Sequence, residues 1–303
     1  MHQPILLNEV LEHLVTEADG LYIDGTFGRG GHSKALLSRL DEQGRLVVFD
    51  RDQQAIEAAK HMAETDGRIT VQQRPFSAMR EVVEGLGCLN QVNGILLDLG
   101  VSSPQLDEAE RGFSFRFEGP LDMRMDQSQS ESAETWLAHV SEAELSLIIR
   151  DLGEEKFHRR IAQAIVLSRD EQPITTTDAL VAIIKKCCPH YERGKHPATR
   201  TFQAIRMHIN QELAQLKQVL DDALDMLAVG GRMAVIGFHS LEHKAVKTFA
   251  KQYCSGNEVI EIGQNPKKPR LRRVVRHVAP SLMEVAQNPR ARSAILRVLE
   301  KVA

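Results

Sequence analysis

The chain has 303 residues, room for one large domain or two ordinary ones, and its 42% hydrophobic and 26% charged residues suit a globular fold. A formal charge of −3 excludes a polycation, so any nucleic-acid footprint has to come from local patches. Met1–Glu9 shows no basic region ahead of an apolar run, and no stretch approaches the ~20 apolar residues of a membrane span, which argues against a signal peptide and a membrane anchor.

In chain order, Leu21-Tyr22-Ile23 reads as a buried strand, followed by a glycine-rich turn and a helix from about Ser33 to Leu40. Leu46–Phe49 is a second strand, and Asp52 then N-caps a helix through Ala63. Ile69–Val71 is a third strand, a helix spans about Ser77–Glu84, and Val92–Leu97 is a fourth strand ending at Asp98. Strands alternating with helices imply right-handed crossovers and a mostly parallel sheet. From about Ala109 to Arg200 no buried strand is evident, and helices are expected at Ser132–Leu137, Glu142–Asp151, Phe157–Ser168 and Thr177–Cys187. The alternation then resumes with a long amphipathic helix over Phe202–Leu227, which Gly230-Gly231 should terminate. A strand at Arg232–Ile236, a helix from Ser240 to about Gln252 and a closing strand over Ala294–Leu299 complete the pattern. It predicts one α/β domain, residues 1–108 and 203–303, interrupted by an all-helical domain over 109–202.

The turn Asp24-Gly25-Thr26-Phe27-Gly28-Arg29-Gly30-Gly31-His32 lies between the first strand and its helix. Gly28, Gly30 and Gly31 permit positive φ and close approach of backbone to a ligand. Asp50 ends the next strand, where an acid can accept hydrogen bonds from both hydroxyls of an adenosine ribose. An adenosine-bearing cofactor is therefore expected. A nicotinamide dinucleotide needs the third small residue of G-x-G-x-x-G, but Ser33 stands there, and Asp24 would set a carboxylate beside its phosphates. S-adenosylmethionine carries a sulfonium and an α-amino group instead, which an acidic strand end suits.

A second acidic turn, Asp98–Gln105, follows the fourth strand, and ligands of open α/β sheets bind outside the carboxyl ends of the strands. An exocyclic amino group is a poor nucleophile because its lone pair is conjugated into the ring. Asp98, with the backbone around Ser102 and Ser103, is suited in type to draw such a nitrogen towards sp3 geometry and aim it. Asp98 reads equally well as a cap of its turn or a cofactor contact.

The strings Asp24–Ser33, Gly94–Leu106, Arg111–Phe115, Gly119–Asp126, Gly153–Glu155, Lys195–Ala204 and Asn288–Ser293, in this order, resemble the bacterial RsmH (MraW) family of small-subunit rRNA cytosine-N4 methyltransferases. The resemblance runs from His2 almost to the C-terminus. It implies an α/β, class I S-adenosylmethionine methyltransferase (Rossmann-like) sheet with a helical insertion, acting on N4 of a decoding-region cytosine in 16S rRNA of the small ribosomal subunit. It places cofactor contacts at Gly30, Gly31, His32, Asp50, Phe76, Asp98 and Gln105, joining Asp24 and Gly28 of the turn. The family's Ser-Phe-His-Ser-Leu-Glu-Asp stretch stands here as Gly237-Phe238-His239-Ser240-Leu241-Glu242-His243, with Gly237 and His243 departing from it.

For the substrate, two runs are basic: Lys185–Arg206, with Lys195, His196 and Arg200, and Lys267–Arg276. Each is also explicable as solvated surface. Phe113, Phe115 and Phe117 alternate, either to stack on an unpaired base or to anchor the insertion. Asp122 and Arg124 are polar enough to line a groove, and His239 is a further RNA-contact candidate. No histidine spacing fits a metal motif, so no metal is expected. Cys88, Cys187, Cys188 and Cys254 form no CxxC pair, which fits a reducing cytoplasm; a homodimer stays open. The rival readings are an NAD-dependent oxidoreductase and an RNA-binding assembly factor without catalysis.

Overall fold

The computed structural model describes residues 4–188, 196–255 and 268–303. The chain divides into two units, Met1–Gly100 with Leu213–Ala303, and Val101–Glu212.

The first unit is built on a seven-stranded sheet. Its elements are α1 (Leu7–Leu14), β1 (Leu21–Asp24), α2 (Gly31–Leu37), β2 (Arg45–Asp50), α3 (Gln53–Thr65), β3 (Ile69–Gln73), α4 (Met79–Gly85) and β4 (Val92–Asp98). After the second unit come α11 (Glu212–Met226), β5 (Leu227–Gly237), α12 (Ser240–Cys254), β6 (Leu271–Val278), α13 (Leu282–Gln287) and β7 (Ile295–Lys301). The strand order is β3-β2-β1-β4-β5-β7-β6, with β1 to β5 parallel and β7 antiparallel to both neighbours. A dinucleotide-binding sheet ends 4-5-6 instead, so the antiparallel strand between β5 and β6 separates this fold from the nicotinamide alternative.

The two-residue period of a strand shows in how the sheet buries itself. Leu46 and Val48 of β2 and Leu96 of β4 join α1, α2 and α3 on one face. Val47, Phe49, Ile95 and Leu97 join α4, α11 and α12 on the other. Asp52 caps α3 as expected, its side chain accepting from Gln54 N at 3.0 Å.

The second unit contains α5 (Ser103–Asp107), α6 (Ala133–His139), α7 (Glu142–Gly153), α8 (His158–Glu171), α9 (Thr177–Cys187) and α10 (Thr199–Ile209). It has its own core, in which Leu121, Trp136, Ile149, Ile161, Leu180, Phe202 and Ile205 are buried together. A single bridge, Pro120 to Thr176, is its strand pairing among the described residues.

Three expectations are corrected. The helix over Phe202–Leu227 is two helices, α10 and α11. Asn210 is fully buried, donates to Met123 O at 2.7 Å and accepts from Met125 N at 2.8 Å, and Gln211 turns to φ 51°. These side-chain bonds outcompete helix continuation. Gly230-Gly231 does not end the helix; the pair lies inside β5, where the register with β4 jumps from Val92–Leu227 to Gly94–Arg232, a bulge that Gly230 at φ 87° makes possible. Finally, the basic run ending at Arg276 contains β6. Leu271 and Val275 face inward, and the basic residues occupy the outer positions of an edge strand, where charge discourages further pairing.

Candidate active site

The carboxyl ends of β1, β2 and β4 each finish on an acid: Asp24, Asp50 and Asp98. The strand order reverses between β1 and β4, so the crevice of an open α/β sheet opens at these residues.

The glycine turn is held from within. Asp24 is 1% exposed; its Oδ1 accepts from Thr26 N at 3.1 Å and its Oδ2 from Ser33 Oγ at 2.6 Å. Burial raises the Asp24 carboxyl, and these hydrogen bonds oppose the shift. Asp24 thereby latches the turn. Asp50 accepts from Gly28 N at 2.8 Å and from Asp52 N at 2.9 Å, and burial raises it as well. Gly28 and Gly30 adopt φ 55° and 72°, as the turn requires. Gly31 does not; it is the first residue of α2, and a Cβ there would lie 2.3 Å from Pro4 Cγ. Its smallness admits the N-terminal segment rather than a positive φ.

Asp98 is the unsatisfied member. Its N–H donates to Thr26 Oγ1 at 2.7 Å, which ties β4 to the turn. Its side chain is a quarter exposed, yet Oδ1 is sealed from solvent and has no hydrogen-bond partner. Oδ2 lies 3.7 Å from His32 Nδ1. Burial pushes the Asp98 carboxyl up to about 6; His32 pulls it down, while Asp24 and Glu242 push it further up.

His32 is buried on α2 with Nε2 3.0 Å from Ile5 O. Phe76 follows β3 in a short 3₁₀ turn, its Cβ 3.2 Å from where a Cβ of Gly25 would stand. At the end of β5, Glu242 accepts from Phe238 N at 2.7 Å and His239 N at 3.2 Å, and lies 3.1 Å from His239 Nε2. It is the capping-box acid of α12. Glu242 and the Pro4–Leu6 segment had no role in the sequence reading. Glu242 stood inside a recognisable S/H-x-x-E pattern, whereas nothing local marks Ile5.

In the second unit, Ser102 N donates to Gln105 Oε1 at 2.9 Å, a capping box that opens α5 at Ser103. Phe113 is buried, and Phe115 stacks on His196 at 4.6 Å and meets Phe202 edge-on at 5.5 Å. Phe115 thus packs within the unit, the arrangement that the anchoring alternative describes. Asp122 and Arg124 face each other in a two-pronged pair of 2.8 Å contacts. Burial lowers the His196 imidazole. Arg200 is half-buried on the first turn of α10, and Lys195 lies outside the described residues. In the run reaching Arg276, Arg272 pairs with Glu300 at 2.6 Å, and Lys267 lies outside the described residues.

Among the described residues no group of His, Cys, Asp and Glu has the arrangement of a metal site, and no helix is long and apolar enough to cross a membrane.

Comparison with known proteins identifies the family. The family model of the MraW methylase family matches residues 1–302. A protein of Burkholderia ambifaria named ribosomal RNA small subunit methyltransferase H is 50% identical over 99% of this chain and 97% of its own length. A protein of the same name from Neisseria meningitidis is 48% identical, covering 100% of this chain and 93% of its own. Among solved structures, an rRNA methylase from Streptococcus thermophilus aligns over 100% of this chain and 99% of its own at 12% identity, with a TM-score of 0.40. An O-methyltransferase from Thermotoga maritima aligns over 100% and 68% at 12% identity and a TM-score of 0.43.

Proposed function

The chain belongs to the MraW methylase family, and we propose that it methylates the N4 amino group of a decoding-region cytosine in 16S rRNA. The coarser activity, methylation of small-subunit ribosomal RNA with S-adenosylmethionine as donor, follows from the family and from relatives of about half identity.

The observation that supports N4 is Asp98 Oδ1, a buried acceptor without a donor. Leaving such an atom unmatched costs about 1–3 kcal/mol, so a site that retains it is built to receive an N–H or a cation. S-adenosylmethionine fits the surroundings. Gly28 and Gly30 at positive φ would let backbone approach it, Asp50 would accept from its ribose hydroxyls, and Phe76, beside Gly25, would lie against its adenine. When bound, the donor supplies an electrophilic methyl group. Gln105, Ser102 and Ser103 belong to the same proposal as residues of the second acidic turn, with Lys195, Arg200 and His239 as RNA contacts.

An exocyclic amino nitrogen becomes nucleophilic when its N–H is accepted by a well-placed carboxylate, and Asp98 is the acceptor at this crevice. Orientation and hydrogen bonding of this kind account for a large share of a barrier. Under-modified small subunits incubated with labelled donor are expected to yield N4-methylcytosine on mass spectrometry of the digested RNA. Label on cytosine C5, or on ribosomal protein, would overturn the proposal.

A further inference from the structure

His32 has one ring nitrogen whose protonation is settled by its partner. A backbone carbonyl only accepts hydrogen bonds, so Nε2, 3.0 Å from Ile5 O, carries its proton in every state of the ring. The one basic position left is Nδ1, and that edge faces Asp98 Oδ2 at 3.7 Å. The ring is buried, and its two contacts come from the N-terminal segment on one side and the end of β4 on the other.

The acids around Asp98 have no comparable vacancy. Asp24, on β1, holds Thr26 N and Ser33 Oγ. Glu242, on α12, holds the Phe238 and His239 amides and lies against His239 Nε2. A proton arriving at Asp98 therefore has one basic nitrogen facing it from α2 and only engaged carboxylates facing it from β1 and α12.

We propose that His32 is the final protein acceptor of the proton lost in methyl transfer, receiving it at Nδ1 from Asp98. The inference rests on the N4 reading above. The substrate's N4 lone pair forms the N–C bond as the donor's S–C bond breaks, with the S–C electron pair remaining on sulfur. One N4 proton passes to the Asp98 carboxylate, then to His32 Nδ1, which becomes an imidazolium and returns Asp98 to its charged form. The imidazolium releases that proton to solvent before the next cycle. A separation of 3.7 Å exceeds a hydrogen bond. Catalytic contacts in ligand-free sites are commonly long by about this much and tighten when the site is filled. Burial pushes the Asp98 carboxyl up to about 6, so it takes up a proton more readily than an exposed carboxylate.

Ile5 thereby takes part in the reaction: its carbonyl fixes the tautomer that leaves Nδ1 available. The decisive variant is His32→Gln, whose amide N–H still reaches Ile5 O but which accepts no proton. Single-turnover methylation should slow about 100-fold, within the range for losing a general base. Because His32 is also expected against the cofactor, the rate is read at saturating donor, with donor affinity followed by calorimetry, and the pH–rate profile should lose one ionisation. A wild-type rate and profile in His32→Gln would reduce His32 to a pin for the N-terminal segment and overturn the relay while leaving N4 methylation standing. If the variant fails to bind donor, the wild-type enzyme decides. A solvent deuterium effect with a two-proton inventory supports the relay, and its absence overturns it. Methylation at any atom other than N4 overturns the reading and the relay together.

Discussion

At the scale of single residues, Asp98 is held in a state that the fold does not favour. Its carboxyl titrates at about 6 in the folded chain against 3.8 when exposed. Between those values the folded state binds more protons than the unfolded one, so stability falls as pH rises from about 4 to 6 and stays lower above. Asp98→Asn removes the charge while keeping the shape. The variant should be more stable than the parent at pH 8, by on the order of 1–3 kcal/mol in urea unfolding, and should lose most of its turnover. A variant no more stable than the parent would show that the carboxylate is not strained there. Such an exchange of stability for activity is common at catalytic groups. The acid at this position is legible in the sequence because it ends a strand. Its missing partner is not, because that depends on where Asp24 and Glu242 send their oxygens.

At the scale of elements, the two positions that depart from the family's pattern meet at the start of α12. His243 Nδ1 lies 3.0 Å from Arg297 Nη1 on β7. Burial first, then Arg297, lowers the imidazole to about 4, so it stays neutral and accepts from the guanidinium. Gly237 is the space this ring needs: a Cβ there would come 3.0 Å from His243 Nδ1 and 3.3 Å from Glu242 Cβ. Gly237→Ser alone should destabilise by about 1–2 kcal/mol through crowding. Adding His243→Asp should recover most of it, a coupling that a double-mutant cycle measures. Additive losses would mean the two positions are independent. His243 also predicts acid sensitivity. Its folded value lies below the unfolded 6.5, so its contribution is present above pH 6.5 and lost as pH falls towards 4; a His243→Gln chain should lack that slope. The same element level shows why some elements were legible and others were not. β1 to β4 announce themselves because buried parallel strands are short apolar runs between turns. β6 presents two inward residues among arginines, and edge strands seldom have a stronger signal. The break at Asn210 depends on carbonyl and amide groups near Met123 and Met125, over eighty residues earlier, so no local window contains it.

At the scale of the whole molecule, the chain leaves the first unit after Gly100 and re-enters it at Leu213. The second unit has its own core of Leu121, Trp136, Ile161, Leu180 and Phe202. A fragment spanning 101–212 should therefore fold alone, with helical circular dichroism and a cooperative thermal transition; a fragment without either would show that its core depends on the remainder of the chain. This interruption also bears on the kinetics of assembly. β4 and β5 are adjacent and parallel, yet over a hundred residues of chain separate Asp98 from Leu227. Joining them while that stretch is random coil costs about 2 kcal/mol more closure entropy than spanning a short loop. An insertion that has already collapsed shortens the effective tether, so the helical unit should gain protection from hydrogen exchange before β5 docks. Destabilising it, for example with Ile161→Ala, should slow formation of a sheet in which that residue has no part.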